Sequence, residues 1–436
     1  MKRFLRGLLL VVIVAAALVI WSALPWSGAL AIAILLTLWL VLTQRGRQTL
    51  SVTGVGMATL PSRWGAASVI VIGIAGVVGV LVAMLAMAEG FQATLRGSGS
   101  DDTVLVTRAG ALAESNSVLS HDDAVLVQQK PGVARDAQDK PLASAELVVV
   151  ASLPKKSTGQ DANVTLRGVG PEAWAVRSNV KIIAGRKFTP GLRELDVGKG
   201  AMQQFTGLGI GSTLKLNNQV WTVVGEFDSG DSYNSELWAD KDTIASVYRR
   251  GSSATSVTLK LTSPGAFDQF KAAVKADPAL RVDVETTKAY FAKQSEGLTK
   301  LIRILGTTIG VIMAIGALFG ALNSMYAAVA TRAREIATLR ALGFRGTPVV
   351  ASVMLETMLL ALAGGVLGAL VAWLIFDRYT VSTLGGNFTQ VVFQFRITPE
   401  LLWSGIKWAL AIGFVGGLFP AVRAARLPVT AALREL

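Results

Sequence analysis

The chain of 436 residues contains no cysteine and a single histidine, His121. Without thiols it has neither a disulfide framework nor a thiolate metal site. A single histidine also excludes the enzyme classes whose sites need several histidines. No G-x4-G-K-S/T sequence occurs anywhere in the chain, so it has no Walker-type phosphate loop. Any ATP hydrolysis by that route is therefore expected in a separate chain.

Two short acidic patterns remain as candidates for metal or catalytic chemistry. Residues 121–123, His-Asp-Asp, open a predicted helix, where they are typical of a helix cap, with a metal site as the alternative. Residues 227–236 carry Asp228, Asp231 and Glu236 in a spacing unlike a calcium loop, which favours a mobile loop over a cation site. We expect no catalytic residue, and no bound metal or cofactor, in this chain.

Apolar runs of membrane-spanning length dominate the composition. Hydrophobic residues make up 52% of the chain, and its mean hydropathy is +0.50. These values are typical of an integral membrane protein, and the length allows a helical bundle together with a soluble domain.

The net charge of +13 is concentrated in short segments beside the apolar runs. Residues 1–7, 44–63, 331–347 and 421–436 hold thirteen basic and two acidic residues, whereas residues 89–303 hold 26 basic and 24 acidic residues. This is the positive-inside pattern, so we expect the four segments and both termini in the cytoplasm. Membrane lipid, and not nucleic acid, is the partner that this distribution predicts.

Residues 1–43 are predicted to form a transmembrane hairpin. Its two apolar arms are near the lower length limit for spanning, so a tilted or partly re-entrant hairpin is an alternative. A cleaved signal peptide is another, but the apolar character continues beyond the small residues at 29–31. Residues 44–65 are polar and basic, which predicts a cytoplasmic linker.

Residues 66–95 and 286–330 each predict a transmembrane helix that continues into a stalk, with an extracytoplasmic domain at residues 96–285 between them. The domain has a mixed α/β pattern. Strands are expected at residues 103–107, 146–151, 163–168, 213–216, 220–226 and 256–261, with a turn at Asn217-Asn218. Helices are expected at residues 120–129, 241–248 and 264–276.

Polar and small residues interrupt the later apolar runs. Gly316 and Gly320 suit close helix contact but are also common in membrane helices, and Asn323 can bond across a helix interface or within its own helix. The carboxylate of Glu356 is costly to bury inside a membrane, so we expect it to pair with an arginine of the basic segment at residues 331–347, with a proton relay as the alternative. Residues 348–436 predict two transmembrane helices and a cytoplasmic tail, with an external loop at residues 377–400.

Residues 331–347 form a short basic amphipathic segment between two apolar runs. Ile336, Leu339 and Leu342 are spaced by three and share a helical face. A helix of about four turns cannot cross the bilayer, so it lies at the cytoplasmic surface and presents one side to a partner. The alternative is a loop whose arginines only determine topology.

Three motifs in the last third of the chain carry a family resemblance. Residues 323–344 read N-x8-R-x-REIATLRALGF, and they are followed by Glu356 and by LLALAGGVLGAL at residues 359–370. Together they resemble the membrane half of the MacB/FtsX-like permeases of ABC transporters. Residues 416–436, GGLFPAVRAARLPVTAALREL, are similar to the C-terminal signature of that family, with Pro420 ending the last span and Arg423 and Arg426 in the tail.

The resemblance implies a type VII mechanotransmission architecture, in which residues 331–347 are the coupling helix that docks on a separate ATPase subunit carrying ATP and Mg. The residues expected to contact the ATPase are Arg332, Arg334, Glu335, Arg340 and Phe344. The glycines expected in helix packing are Gly316, Gly320, Gly364, Gly365 and Gly368. The N-terminal hairpin departs from the usual four-helix plan of the family.

We therefore predict an inner-membrane permease subunit: an α-helical transmembrane bundle of about six helices with a mixed α/β extracytoplasmic domain on a helical stalk. It would act in export or extraction of a drug, peptide, lipid or lipoprotein, as a homodimer or with a related permease. A periplasmic adaptor is a further candidate partner. The alternatives are an FtsX-like regulator of cell-wall hydrolases and a membrane-anchored scaffold that uses no ATP.

Overall fold

A computed structural model of the chain describes residues 16–426 except residues 18, 60, 386 and 387. The chain divides into two units. The helical unit contains the described residues up to Met87, Ile302–Asp377 and the residues from Arg396 onward; the sheet unit contains Ala88–Leu301 and Arg378–Phe395. The named α-helices are α1 (Trp26–Leu42), α2 (Gln44–Ala58), α3 (Trp64–Gly97), α4 (His121–Gln128), α5 (Ala173–Val176), α6 (Lys199–Gln204), α7 (Lys241–Val247), α8 (Phe267–Lys275), α9 (Thr287–Thr331), α10 (Ala333–Ala341), α11 (Gly346–Phe376) and α12 (Pro399–Arg426).

Four helices in the described part of the chain are long and apolar enough to cross a membrane. They are Pro61–Gly97, which includes α3, and α9, α11 and α12. The pair α1 and α2, bent by 94°, is a fifth candidate. The predicted count of about six is therefore not confirmed. About half of the first arm of the predicted N-terminal hairpin, residues 8–15 and 18, lies outside the described residues.

The residues of the predicted linker, 44–65, are mainly helical, which the sequence analysis did not predict. The Thr43 hydroxyl caps α2 by accepting from the Gly46 N–H over 2.9 Å. Gly46 lies against the end of α1, where a Cβ would be 2.1 Å from the Trp39 carbonyl oxygen. One face of α2 is buried, with Thr49, Val52, Thr53 and Gly56 at helical spacing. Most residues on the buried face are threonine or glycine and not large apolar residues. The sequence therefore lacks an apolar helical pattern and resembles a linker.

Small residues of α11 allow close helix contacts in the helical unit. A Cβ on Gly364 would lie 2.7 Å from the Val71 carbonyl oxygen of α3, and one on Gly368 would lie 2.3 Å from that of Ala75. A Cβ on Gly365 would lie 2.7 Å from the Ala409 Cβ of α12. These three glycines therefore lie where only a hydrogen atom fits.

Gly316 and Gly320 of α9 do not pack in this way. Among the described residues, nothing lies within 4 Å of a Cβ built on either glycine. Their neighbours Phe319 and Ile315 are 67% and 51% exposed, so this face of α9 lies on the surface of the single chain. The predicted helix-packing role of both glycines is thus wrong within one chain, because no other helix covers them.

The last helix continues through Pro420 instead of ending there as predicted. Pro420 is buried inside α12, which extends to Arg426. A proline removes one helical hydrogen bond, and packing of neighbouring helices supports the chain through it. Here Gly416 and Gly417, one turn earlier, lie close to Ala321 and Thr357 of two other helices. Residues 427–436 of the predicted tail lie outside the described residues.

The sheet unit is built on one ten-stranded sheet in the order β10-β1-β9-β2-β3-β8-β5-β7-β4, with β6 pairing β7. The strands are β1 (Thr103–Arg108), β2 (Ala143–Pro154), β3 (Asp161–Val169), β4 (Lys181–Gly185), β5 (Glu194–Gly198), β6 (Thr213–Leu216), β7 (Gln219–Asp228), β8 (Glu236–Asp240), β9 (Ser256–Lys260), β10 (Val282–Thr286), β11 (Thr380–Leu384) and β12 (Gln390–Gln394). Two hydrophobic cores flank it: α4 and α8 pack around Val106 and Phe270, and α6 and α7 pack around Leu166 and Trp221. The domain is mixed α/β, as predicted.

The predicted external loop at residues 377–400 contains a β-hairpin, β11 and β12, that packs within the sheet unit. The Val392 N–H donates to the Ser235 hydroxyl over 2.8 Å, and Thr165 donates to Thr389 over 2.8 Å. The rings of Phe91 and Phe393 meet edge to face with centroids 5.4 Å apart. The short alternating stretches of the hairpin are too weak a pattern to identify from sequence.

Five charged side chains form a buried cluster at the centre of the sheet. Arg167 on β3 uses all five of its N–H donors: two go to each of Glu114 and Glu236 and one to Glu146, over 2.7–3.1 Å. Arg177 also pairs with Glu146, with its Nη2 2.8 Å from Oε2. The cluster connects the segment before α4 with strands β2, β3 and β8, so it joins the two cores through satisfied polar groups.

Both acidic patterns of the sequence are ordered by hydrogen bonds. At residues 121–123 the helix cap is confirmed: Ser120 accepts from the Asp123 N–H, and the Asp123 carboxylate accepts from the Ser120 N–H. The predicted mobile loop at residues 227–236 is instead folded, because buried Asp231 accepts from the Tyr233 N–H and from Asn179. Burial raises the pKa of Asp231 to about 6.

Candidate coupling site

The predicted coupling segment is a distinct short helix. α9 ends at Thr331, and Arg332, with φ −102° and ψ 10°, separates it from α10. Ile336 and Ala337 bury one side of α10, whereas Arg334 and Glu335 are exposed on the other. One face of α10 is therefore buried against the protein and the other is exposed.

The end of α10 is terminated by a glycine in the left-handed region. Gly343 has φ +98°, its N–H donates to the Arg340 carbonyl, and the Phe344 N–H donates to the Leu339 carbonyl, both over 3.1 Å. This pair of bonds is a Schellman motif, which reverses the chain direction. Phe344 is held half-buried directly after the helix. Leu342 is 73% exposed, so it does not share the buried face with Ile336 as its spacing predicts.

A buried carboxylate lies beside the start of this segment. Glu356, on α11, accepts from Arg332 Nη1 at Oε2 over 3.0 Å and from Arg63 Nη2 at Oε1 over 3.1 Å. The side chains of Arg332 and Glu356 are only 8% and 4% exposed. The sequence predicts a pairing of Glu356 with an arginine of the coupling segment, and Arg332 is that arginine.

Helix α2 packs against the Arg332–Glu356 ion pair. A Cβ on Gly56 would lie 2.8 Å from Arg332 Nη1 and 3.1 Å from Glu356 Oε2. Arg63 also donates to the Gly56 carbonyl and to the Thr59 hydroxyl, both over 3.1 Å. The sequence analysis did not identify Gly56 or Arg63 as part of this site. The one signal for Arg63 is that an arginine lies directly before the first residue of a long apolar helix.

Burial changes the interpretation of Arg332. Its Nε donates to Glu335 over 3.1 Å and its Nη1 to Glu356, so its guanidinium faces into the protein. In this structure Arg332 does not present the surface that the predicted contact with an ATPase requires. Its position makes it a structural hinge residue between α9 and α10.

The remaining predicted residues lie apart from this cluster. Arg340 is half-buried near the end of α10. Arg423 stacks on the ring of Tyr326, 5.4 Å from its centroid, and Arg426 is exposed at the end of α12. Asn323 is exposed on α9, and its amide has no hydrogen-bond partner among the described residues. A bond of this amide across an interface with a second copy stays a prediction.

The charged groups of this site form a closed set of ion pairs. The described residues include no group of three or more histidine or acidic residues that could hold a metal ion. Movement of α10 would act on α11 through Arg332 and Glu356, and on the start of α3 through Arg63.

Two family models match the chain. One, described as a MacB-like periplasmic core domain, matches residues 66–277, and the other, described as an FtsX-like permease C-terminal domain, matches residues 307–429. The two matches together cover most of the sheet unit and all of residues 331–347.

Several curated proteins are similar to the chain. The macrolide export ATP-binding/permease protein MacB of Shigella boydii is 24% identical over 397 residues, covering 84% of this chain and 57% of that protein. The protein of the same name from Photorhabdus laumondii is 29% identical, covering 52% and 35%. The probable syringafactin export protein SyfD of Pseudomonas syringae is 26% identical, covering 67% and 45%. The match thus spans 57% or less of the length of each relative.

Among solved structures, the periplasmic region of MacB from Actinobacillus actinomycetemcomitans matches 45% of this chain and 92% of that one, with 15% identity and a TM-score of 0.34. The extracellular domain of the transporter YknZ from Gram-positive bacteria matches 42% and 100%, with 15% identity and a TM-score of 0.32. Given the two family models and the apolar helices, the chain is a multi-pass inner-membrane protein that belongs to the MacB/FtsX-like family of ABC transporter permeases.

Proposed function

We propose that this chain is the permease subunit of an ABC exporter and that a separate ATPase subunit, which binds ATP and Mg, docks on the open face of α10. The observation that carries the proposal is the arrangement of α10: Ile336 attaches one face, while Arg334 and Glu335 remain exposed on the other. Exposed charges would set the register of the contact, and Phe344 would enter an apolar groove of the ATPase.

The proposed mechanism is mechanical. ATP binding would draw two ATPase subunits together and displace α10. The Arg332–Glu356–Arg63 cluster would pass this displacement to α11 and to the start of α3. Because α3 and α9 each contribute residues to both units, they are the elements that could carry movement to the sheet unit.

Export is the activity that the relatives favour. Their names refer to export of macrolides and, in one case, of syringafactin, and none refers to a cell-wall hydrolase. We therefore favour export or extraction of a drug, peptide, lipid or lipoprotein over the FtsX-like regulatory alternative. The sheet unit would lie outside the inner membrane, with both chain termini in the cytoplasm.

A second permease copy completes the proposal. The chain has one coupling segment, whereas an ABC transporter with two ATPase subunits needs two coupling segments. We therefore propose a homodimer or a pair with a related permease. The exposed face of α9 around Phe319 and Asn323 is available for such a contact. A periplasmic adaptor that contacts the sheet unit is a further proposed partner.

Co-purification tests the docking proposal. The full chain, in detergent, is compared with the variant Arg334→Glu/Phe344→Ala for recovery of candidate ATPase subunits. We expect the wild type to retain one ATPase and the variant to lose it, because the charge register and the apolar anchor are both removed.

The matched control is Arg193→Glu, which reverses an exposed arginine of the sheet unit. It should retain the ATPase, and all three proteins should have the same melting temperature. If the double variant retains the ATPase as well as the wild type does, α10 is not the docking site.

A further inference from the structure

A cavity of about 420 Å³ opens at one end of the helical unit. Three arginines line it: Arg45, Arg345 and Arg426. They come from three different helix ends, since Arg45 is the second residue of α2, Arg345 precedes the first residue of α11, and Arg426 is the last residue of α12. The cavity is therefore a product of the tertiary structure.

The packing of helix ends holds these arginines around one space. A Cβ on Gly346, the first residue of α11, would lie 3.4 Å from the Ala425 Cβ of α12. The 94° bend between α1 and α2 brings Arg45 to the same place. Arginines on three separate helix ends would repel one another unless an anion neutralises them.

Among the residues that the structure describes, no carboxylate lines this cavity. Each of the three arginines is exposed, and none forms an ion pair with another of the described residues. By contrast, the arginines at positions 63 and 332 of the same unit are paired with Glu356. An anion from outside the described residues would complement the charge of this cavity.

Apart from Thr347, the remaining lining residues have no polar side chain. Val350 and Val422 form part of the wall beneath the arginines. The apolar helix α1 ends at Leu42, three residues before Arg45, so the cavity lies at the level where the helices leave the apolar layer of a membrane. A ligand for this site has a negative head and an apolar body.

We propose that this cavity binds the phosphodiester headgroup of an anionic phospholipid. Arginine forms paired, charge-assisted hydrogen bonds with phosphate, and basic pockets between membrane helices are typical sites for anionic headgroups. The apolar wall favours a lipid over a free phosphate or an acidic surface of an ATPase. The proposal requires only that the helical unit lies in a membrane and is independent of ATPase docking.

Native mass spectrometry of the delipidated full chain in detergent measures binding of phosphatidylglycerol and of phosphatidylcholine. We expect the wild type to bind one phosphatidylglycerol at least tenfold more tightly than phosphatidylcholine. Arg45→Gln, and separately Arg345→Gln/Arg426→Gln, should remove most of this preference, because each removes charge-assisted bonds to the phosphate. The control Arg47→Gln, two residues along the same helix and outside the cavity, should bind as the wild type does.

Equal binding of the two lipids by the wild type would overturn the proposal, as would an equal loss in Arg45→Gln and Arg47→Gln. Displacement of the lipid by excess inorganic phosphate would identify a free-anion site instead. Loss of a co-purifying ATPase from the cavity variants at unchanged lipid affinity would assign the arginines to the ATPase contact. If Arg345→Gln/Arg426→Gln does not fold, Arg345→Lys/Arg426→Lys keeps the charge and should show an intermediate preference.

Discussion

Arg332 donates to Glu356 over 3.0 Å inside the helical unit, and both side chains are almost completely buried. Arg332 is the residue at which α9 gives way to α10, and Glu356 lies in the third turn of α11. One ion pair thus attaches the coupling segment to the next membrane helix. Gly56 lies so close above the pair that a side chain there would displace it.

Removing either partner of this pair should destabilise the helical unit, and by different amounts. Glu356→Gln leaves Arg332 and Arg63 without their carboxylate and should cost about 3 kcal/mol or more. Arg332→Gln should cost less, because Glu356 keeps its bond to Arg63. Melting temperatures of the full chain in detergent show which of the two variants loses more stability. A larger loss for Arg332→Gln would mean that Arg63 does not support the carboxylate.

The C-terminal end of α10 depends on one glycine. Gly343→Ala forces a Cβ into a backbone with φ +98°, which should weaken the Schellman motif by about 1 kcal/mol and loosen Phe344. If Phe344 anchors the ATPase, recovery of the ATPase should fall several-fold while the melting temperature changes little. Gly251→Ala, at φ +61° in the sheet unit, carries the same kind of strain and should leave recovery unchanged.

Helix packing predicts a contrast between two glycines. Gly368→Ala places a methyl group 2.3 Å from the Ala75 carbonyl oxygen, so α3 and α11 must separate, at a cost of about 1–3 kcal/mol. Gly316→Ala meets nothing within 4 Å among the described residues and should change stability by less than about 0.5 kcal/mol. Thermal unfolding compares them. Loss of dimer in Gly316→Ala at an unchanged melting temperature would place this face of α9 against a second copy.

The stability of the sheet unit should depend on pH through Asp196. Its carboxyl is fully buried, Oδ2 accepts from the Phe188 N–H over 3.1 Å, and burial raises its pKa from 3.8 to about 7. The folded state holds this proton more tightly than the unfolded chain does. The resulting stability is fully present below pH 3.8 and is lost as the pH rises to about 7.

Asp196→Asn removes this titration while keeping an oxygen that can accept from Phe188. Relative to the wild type, the variant should gain stability between about pH 4 and about pH 7, by on the order of 2–4 kcal/mol. Tryptophan fluorescence during thermal unfolding at several pH values measures the difference. The exposed Asp161→Asn is the control and should show no such trend. A constant difference at all pH values would mean that folding leaves the pKa of Asp196 unchanged.

Local patterns predicted several elements closely. The apolar run after Pro348 became α11, the basic segment became α10, and Asn217 and Asn218 form the turn between β6 and β7 with φ values of 46° and 62°. Hydropathy, helical spacing and turn propensity act over a few residues. They are therefore readable without knowledge of the fold.

Local sequence patterns do not predict the contacts between distant parts of the chain. The bond of Arg63 to Glu356 joins residues 293 positions apart. The hairpin β11–β12 forms its own two-stranded sheet and packs in a unit whose other strands all lie before residue 287. Gly316 and Gly368 look alike in sequence, but only Gly368 faces another helix. Which small or charged residue finds a partner depends on how the helices pack.

The sequence by itself determined that this is a membrane permease with a mixed α/β domain and a short basic helix between two apolar runs, because hydropathy, charge distribution and family motifs are properties of the chain. The tertiary structure alone decided that Arg332 turns inward to Glu356 while Arg334 remains exposed. It also decided that three helix ends bring Arg45, Arg345 and Arg426 around one cavity. The physical reason is that burial and ion pairing depend on the neighbours that packing supplies.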